Sequence, residues 1–247
     1  MKNVISFSLW GTQPMYWAGA VKNVNLAREY FLGWICRFYI DNQSPRSLVE
    51  PIIRSGAEVV FKDRVDEFGG LFWRFLAASD PEVDAVVFRD CDSRISAREY
   101  SAVEAWLGSY KRVHIIRDHP YHNAPILGGM FGCKSGVLSN MDDFIGDWKY
   151  KDRKGTDQTF LAQRIYPIIY FDALEHSDFG IKYLNDIRPV PIRRSGLEFI
   201  GEIFDEHDQP NAGHRSVVSD ALADRLQSPT MGCADRADAE LTAKLAM

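Results

Sequence analysis

Short apolar runs alternate with segments of helical spacing along this chain, and that alternation limits the possible folds more than any other feature. The first cycle has a strand-like run at residues 3–8, a helical segment at 18–32 and a second run at 34–40. Further strand-like runs follow at residues 58–61, 85–89, 113–117, 126–131 and 168–171. Strands that alternate with helices predict an α/β fold, with a mostly parallel, Rossmann-like sheet and helices on both faces.

The last part of the chain differs from this alternating part. From about residue 205 the sequence has no aromatic residues, and Pro210-Asn211-Ala212-Gly213 forms a break. Beyond the break we predict two amphipathic helices, at residues 217–226 and 237–245. We therefore predict a main domain over residues 1–204 and a C-terminal accessory arm, helical or irregular, over residues 205–247.

Composition excludes several functional classes. The 34 acidic residues outnumber the 29 basic ones, giving a net charge of -5, and Lys and Arg are scattered, so we expect no binding to nucleic acid. The four cysteines are widely spaced without a Cys-x-x-Cys pair, which argues against zinc and disulfides and favours free thiols. The apolar N-terminal run is too short for a signal peptide or a membrane span. These features together predict a cytoplasmic protein.

Two aspartates follow the apolar run at residues 85–88. Asp90 and Asp92 are separated by one residue, where the predicted strand ends. In open α/β sheets, ligands bind at the carboxyl ends of strands. Two carboxylates with this spacing can hold a hard divalent cation that also binds the phosphates of a nucleotide. The alternative is a pair of surface aspartates in a turn, which Asp favours.

Three other segments carry candidate residues, each with two interpretations. Gly128 and Gly129 predict either a bulge or a backbone kept bare for a ligand. Asp157, in Gly155-Thr156-Asp157-Gln158, is either an acid favoured at a helix start or a functional carboxylate. Arg74, placed among aromatic residues, either extends to solvent or points towards the phosphates of a nucleotide.

The order of these features resembles that of glycosyltransferases with the GT-A fold, over about residues 3–204. In that family an Asp-x-Asp motif binds Mn²⁺ or Mg²⁺ and the diphosphate of a nucleotide sugar. The resemblance implies that the loop containing Ser8 and Gly11 cradles the base and ribose. It also implies that the glycine strand approaches the donor sugar and that Asp157 faces the sugar and the acceptor.

The resemblance extends to the assignment of individual roles. Asp92 is the expected direct metal ligand, while Asp90 contacts the metal, a metal-bound water or the ribose. Some retaining families supply a downstream histidine as the third protein ligand, and His176 is the best-placed one by order; a surface loop histidine is the alternative. Asp118 is a second catalytic candidate beside Asp157. The expected donor-binding residues are Ser8, Gly11, Arg74, Asp90, Gly128, Gly129 and Lys134.

The function implied is metal-dependent transfer of a sugar from a UDP- or GDP-sugar to a hydroxyl of a glycan or lipid-linked acceptor. The usual setting is bacterial polysaccharide or lipopolysaccharide synthesis, at most in peripheral contact with the inner face of the membrane. Two alternatives remain open: a nucleotidyltransferase that makes an activated sugar, and a non-catalytic module that binds a nucleotide or sugar. The former ordinarily has a Gly-rich, basic loop after the first strand, which is absent between Ser8 and Pro14.

Overall fold

The computed structural model describes residues 1–64, 66–149, 152–179 and 186–227, and within these ranges the chain forms an eight-stranded sheet. The strand order is β3-β2-β1-β4-β6-β5-β7-β8. β6 pairs antiparallel with both β4 and β5, while the other described pairs are parallel. The strands are β1 (Lys2–Leu9), β2 (Trp34–Asp41), β3 (Glu58–Lys62), β4 (Val83–Phe88), β5 (Val113–Arg117), β6 (Phe131–Lys134), β7 (Ala173–Ser177) and β8 (Ile187–Arg188).

Helices cover both faces of the sheet, which confirms the predicted fold class. On one face lie α1 (Pro14–Tyr30), α2 (Arg46–Arg54) and α3 (Ala97–Leu107). On the other lie a 3-10 helix (Gly69–Ser79), α4 (Met141–Gly146) and α5 (Thr156–Phe160). α5 continues through a π-helical turn (Leu161–Ile165) into α6 (Tyr166–Ile169) and a 3-10 turn (Tyr170–Asp172). None of the helices in the described ranges is both long and apolar enough to cross a bilayer.

An aromatic cluster fixes the elements that carry the candidate site. Phe75 of the 3-10 helix contacts Phe88 of β4 at 5.4 Å and Phe131 of β6 at 5.8 Å between ring centroids. Phe160 at the end of α5 lies 6.5 Å from Phe75. All four rings are buried, and each contributes about 1.5–3 kcal/mol relative to an exposed ring. This packing holds the 3-10 helix and α5 against the strands that precede and follow the candidate loops.

Two of the predicted strands are wrong. Residues 126–130 form a loop, and β6 begins only at Phe131. Residues 168–171 are helical, and the strand begins two residues later at Ala173. Both runs are short and apolar, and such runs are compatible with a buried strand or with a buried helical turn.

The helix predicted at residues 217–226 lies within α7 (Ala212–Gln227), whereas the one predicted at 237–245 lies outside the described residues. α7 packs Val218 and Leu222 against Phe199. Arg215 of α7 also pairs with Glu202. The described part of the predicted arm is therefore a helix with its own small apolar contact, and the domain boundary at residue 205 stays a prediction.

Candidate functional site

The loop that carries Asp90 and Asp92 is held rigidly at the carboxyl end of β4. The amide of Arg89 donates to the Ser6 carbonyl of β1 at 3.0 Å. The buried Asn23 of α1 donates to the Ser93 carbonyl at 2.9 Å and accepts from the Ile95 amide at 3.0 Å. A side chain at Gly19 would collide with the Cys91 carbonyl, so glycine lets α1 approach this loop. The loop is thus fixed by α1 and β1 together.

Arg74 joins two of the predicted site carboxylates. Its guanidinium contacts Asp90 through Nη1 and lies 3.0 Å from Asp157 Oδ2 through Nη2. Its backbone is fixed by β1, because Ser6 Oγ donates to its carbonyl at 2.7 Å and its amide donates to Ser8 Oγ at 2.8 Å. Arg74 is only 4% exposed, so the side chain does not extend to solvent. Its predicted phosphate contact stays a prediction, since both terminal nitrogens already bind carboxylates.

The two glycines lie directly on this carboxylate–arginine arrangement. A Cβ at Gly128 would lie 2.5 Å from Arg74 Nη2 and 3.0 Å from Asp157 Oδ2. A Cβ at Gly129 would collide with Asp90 Oδ2. Neither glycine has a positive φ, so the requirement is for space rather than for unusual backbone geometry. Because β6 is antiparallel, the loop before it lies at the same edge of the sheet as the loop after β4.

Asp157 begins α5 in a setting that favours a single conformation. Gly155 before the helix has a φ of +73°, which glycine adopts without strain. The buried Thr156 accepts a hydrogen bond from Trp148 Nε1 at 3.0 Å. In the amide orientation that satisfies both of its groups, Gln158 donates to the Ile126 carbonyl and accepts from the Gly128 amide, each at 3.0 Å. Burial raises the pKa of Asp157 although Arg74 acts to lower it.

Asp92 differs from the other two carboxylates because it makes no ion pair with the residues the structure describes. Burial, followed by the charge of Asp90, raises its pKa to about 7. Burial, followed by the charges of Asp92 and Asp90, likewise raises the pKa of Tyr16, which lies in the first turn of α1. Sequence reasoning missed Tyr16. Its only signal was an aromatic residue on the helix that follows β1.

These residues fit a divalent cation. Among the described residues, Arg74 is the one cation that pairs with Asp90 and Asp157, and Asp92 pairs with none, so the site has excess negative charge. The Asp90 side chain is 49% exposed and therefore accessible. Carboxylate oxygens are the ligands that Mg²⁺ and Mn²⁺ prefer, and Mg²⁺ usually binds one or two carboxylates together with substrate phosphates and water. Asp90 and Asp92 would be the residues that hold it.

His176 does not join these aspartates. It is 1% exposed on β7, and its Nδ1 lies 2.8 Å from Nε2 of His114. The ring of Trp106 stacks on His114 at 5.3 Å, so the histidine pair belongs to the packing beneath α3. Within the described ranges, no group of three or more His, Cys, Asp or Glu side chains could hold a metal ion. The predicted third ligand is therefore wrong in position: it lies inside a strand rather than in a loop.

Asp118 also requires correction. It follows β5 at the same edge of the sheet but is fully buried. Arg98 contacts both of its carboxylate oxygens, at 3.0 and 2.9 Å, Arg194 contacts Oδ1, and the Ile200 amide donates to Oδ2 at 2.9 Å. No lone pair remains for a proton from a substrate. Asp118 holds neighbouring segments together and is not placed to act as a catalytic base.

Of the remaining predicted donor-binding residues, Lys134 lies at the edge of the sheet opposite the candidate site. It ends β6 opposite Ala85, and its Nζ donates to the Ser109 and Leu107 carbonyls at 2.9 and 3.1 Å, which satisfies the end of α3. Ser8 ends up beneath the site, where its hydroxyl binds the Arg74 amide. Gly11 is exposed in the loop after β1, with a φ of +70°.

Comparison with solved structures returns proteins that transfer sugars or nucleotides. A glycosyltransferase involved in the glycosylation of the major capsid of PBCV-1 is 14% identical, with a TM-score of 0.45 over 72% of this chain and 82% of that chain. Glucosyl-3-phosphoglycerate synthase from Mycobacterium tuberculosis, in complex with Mn²⁺, UDP and glucosyl-3-phosphoglycerate, is 13% identical, with a TM-score of 0.46 over 70% and 68%. A cytidylyltransferase from Leptospira borgpetersenii is 13% identical, with a TM-score of 0.43 over 72% and 75%.

No protein-family model and no curated protein matches the chain. The three solved structures are similar to this chain at low sequence identity, with TM-scores below 0.5.

Proposed function

We propose that this protein is a metal-dependent glycosyltransferase, which moves a sugar from a nucleotide-sugar donor to a hydroxyl acceptor. One observation carries the proposal: Arg74 binds Asp90 and Asp157 at once, under a glycine loop packed directly on them, while the Asp90 side chain stays 49% exposed. Asp92 adds an unpaired carboxylate next to Asp90. A nucleotide diphosphate is the type of ligand that brings a cation to such a site.

The reaction is attack by the acceptor hydroxyl on the anomeric carbon, with cleavage of the bond to the diphosphate. A cation held by Asp90 and Asp92 would supply electrostatic stabilisation of the leaving diphosphate. The residues of the chain orient the reactants, since Arg74 keeps Asp157 at a fixed distance from Asp90 and the lack of side chains at Gly128 and Gly129 lets their loop pack directly on these carboxylates. Fixed orientation removes much of the entropic barrier of a two-substrate reaction.

Asp157 is the residue that we assign to proton transfer or to the sugar face. Its pKa is raised by burial, which makes it a better proton acceptor than an exposed aspartate. If the configuration at the anomeric carbon inverts, Asp157 takes the proton of the acceptor hydroxyl. If the configuration is retained, Asp157 instead positions the donor sugar.

The donor that we propose is a UDP- or GDP-sugar, and Mn²⁺ or Mg²⁺ is the cation. A glycan or lipid-linked acceptor in bacterial polysaccharide or lipopolysaccharide synthesis, with the protein in the cytoplasm, completes the proposal. We place the base and the ribose at the loop after β1, where Ser8 lies near the end of the strand and Gly11 lies in the loop.

Turnover of purified protein with a panel of UDP-, GDP-, CMP- and dTDP-sugars tests the proposal, with Mn²⁺, Mg²⁺ or EDTA in parallel. We expect release of one nucleotide product, abolished by EDTA. Asp92→Asn should lower the rate more than about 100-fold, as expected when electrostatic stabilisation of a leaving group is lost. Asp143→Asn, on the exposed side of α4, is the matched control and should keep the wild-type rate.

Two results would contradict the proposal in different ways. Pyrophosphate formation from a nucleoside triphosphate and a sugar phosphate would identify a nucleotidyltransferase. Metal-dependent nucleotide binding without transfer or hydrolysis of any donor would identify a binding module.

A further inference from the structure

Four large apolar or aromatic side chains are exposed on one part of the surface, far from the carboxylates. Tyr110 is 79% exposed, Phe171 64%, Tyr170 49% and Ile168 44%. We call these four residues the aromatic patch. Soluble proteins expose single apolar residues commonly, but a contiguous group marks an interaction surface.

Contacts connect three of the four patch residues, Tyr110, Tyr170 and Phe171. The Tyr170 ring lies 5.9 Å from Phe171, and Tyr166 lies 6.0 Å from Tyr170. Lys111 connects Tyr110 to the others, because its Nζ donates to the Phe171 carbonyl at 2.8 Å and lies 5.5 Å from the Tyr110 ring centroid.

Basic residues surround the patch. Arg164 is exposed and precedes Ile168 by four residues on the same helical segment, so both lie on its exposed side. Arg112 is also exposed and pairs with Asp172. Arg164 and Lys111 make no ion pair within the described ranges. The local charge is therefore positive, although the whole chain carries a net charge of -5.

The patch and the candidate site lie at opposite edges of the sheet. Val113 and Ala173 begin β5 and β7 next to the patch, whereas Asp90 lies two residues after Phe88, the last residue of β4. β4 runs parallel to β5, because both pair antiparallel with β6. A five-residue strand spans about 16 Å, so the patch does not line the site.

We propose that the aromatic patch and its basic rim bind peripherally to an anionic membrane surface. Tyrosine rings favour the interface between lipid and water, with the ring among the headgroups and the hydroxyl in water. Lysine and arginine near the surface add attraction to anionic lipids. This surface goes beyond the proposed enzymatic function and does not depend on it.

Charge favours a membrane over a second copy of the chain as the occupant. A two-fold contact through this patch would bring the positive rim of one copy against the positive rim of the other, and juxtaposed like charges are unfavourable. An anionic lipid surface instead neutralises them. In the membrane-bound orientation the carboxylate site faces away from the bilayer, which favours the glycan acceptor over the lipid-linked one.

Co-sedimentation of the full chain with lipid vesicles tests this inference without any enzyme assay. We expect binding to phosphatidylcholine vesicles that contain phosphatidylglycerol, weak binding to phosphatidylcholine alone, and release at raised salt. Replacing Tyr170 and Phe171 by serine should weaken binding by roughly tenfold or more, since less apolar surface leaves water. Arg164→Ala should weaken it about fivefold, the loss expected for one cation near anionic lipid.

Two matched variants control for non-specific effects. Phe61→Ser removes a ring that is 55% exposed on β3, at the other end of the strand order, and Arg46→Ala removes an exposed cation on α2. Both should bind vesicles like the wild type. Wild-type protein that ignores anionic vesicles, or patch variants that bind like the controls, would overturn the inference. So would a solution dimer that the Tyr170 and Phe171 substitutions dissociate, because a second copy would then occupy the patch.

Discussion

Two clusters of aspartate and arginine lie at the same edge of the sheet, and they differ in the balance of their charges. In the first, Asp118 and Asp178 after β5 and β7 meet Arg98 and Arg194, and Asp118 is fully buried with both oxygens hydrogen-bonded. In the second, Arg74 pairs with Asp90 after β4 and with Asp157 at the start of α5, while Asp92 makes no ion pair within the described ranges.

The difference shows that a position at the carboxyl end of a strand does not by itself make an aspartate functional. The first cluster, which we call the balanced cluster, has no capacity for a ligand, because every polar group of Asp118 already has a partner. The cluster of Arg74 with the three carboxylates, which we call the unbalanced cluster, has excess negative charge that a cation can compensate. One of its carboxylates is accessible. Charge balance, rather than location, separates the structural cluster from the candidate site.

The largest expected effect is on stability, in the balanced cluster. Asp118→Asn keeps the shape of the side chain but leaves Arg98 and Arg194 poorly compensated, and breaking such a buried pair costs about 3–5 kcal/mol. Urea unfolding measures the loss, with Asp143→Asn as a surface control expected within about 0.5 kcal/mol of wild type. A stable Asp118→Asn protein that has lost donor turnover would return Asp118 to the active site.

The next effect is on the chemical step, in the unbalanced cluster. Asp157→Asn should lower kcat by about 100-fold or more while leaving donor affinity nearly unchanged, because general-base catalysis contributes in this range. Steady-state kinetics and equilibrium donor binding separate the two quantities. A parallel loss of donor affinity would assign Asp157 to donor binding instead.

A smaller effect on turnover is expected when the space next to Asp90 is filled by a methyl group. Gly129→Ala places a methyl group against Asp90 Oδ2 and should displace that carboxylate, lowering turnover roughly 10- to 100-fold, the range for loss of support around a metal ligand. Gly146→Ala is the matched control, since a Cβ there meets no atom within 4 Å. Wild-type activity in Gly129→Ala would show that Asp90 tolerates movement and is not a ligand.

The smallest effect, taken over a single pH unit, is the pH dependence of stability in the balanced cluster. His122 Nδ1 accepts from the Asp118 amide at 3.1 Å, and burial lowers the pKa of His122 to about 3. Between that value and the unfolded pKa near 6.5 the unfolded state binds more protons, so stability falls as pH falls, by at most about 1.4 kcal/mol per pH unit.

Urea unfolding across this pH window checks the expectation with His122→Asn. This variant keeps an oxygen that can accept from the Asp118 amide, and its stability should depend less on pH. His207→Asn, at an exposed position, should follow the wild-type profile. An unchanged slope in His122→Asn would mean that His122 is protonated in the folded protein.

The sequence predicted the α/β sheet, because the alternation of strands and helices is a local pattern. It placed Gly128 and Gly129 in a strand, whereas they lie in the loop before β6, and the roles of Asp90 and Asp157 stay predictions. It failed for Asp118 because the partners are distant: Arg98 lies 20 residues away and Arg194 lies 76 residues away. The bridging role of Arg74 was also beyond local reasoning, since its contacts span 16 residues to Asp90 and 83 to Asp157. Side-chain partners formed by tertiary packing leave no periodic signal.

Thermal unfolding with nucleotides and metal tests the central claim most directly, namely that the unbalanced cluster binds a cation together with a nucleotide. Wild-type protein, Asp92→Asn and Asp143→Asn are compared with UDP, GDP, CMP and dTDP, each with Mn²⁺, Mg²⁺ or EDTA. A ligand at about 100 times its Kd adds about 2.7 kcal/mol, which raises the Tm by a few degrees. We predict such a rise for wild type and Asp143→Asn with one nucleotide, lost in EDTA and in Asp92→Asn. An equal rise in Asp92→Asn, or no rise with any nucleotide and metal, would contradict the account.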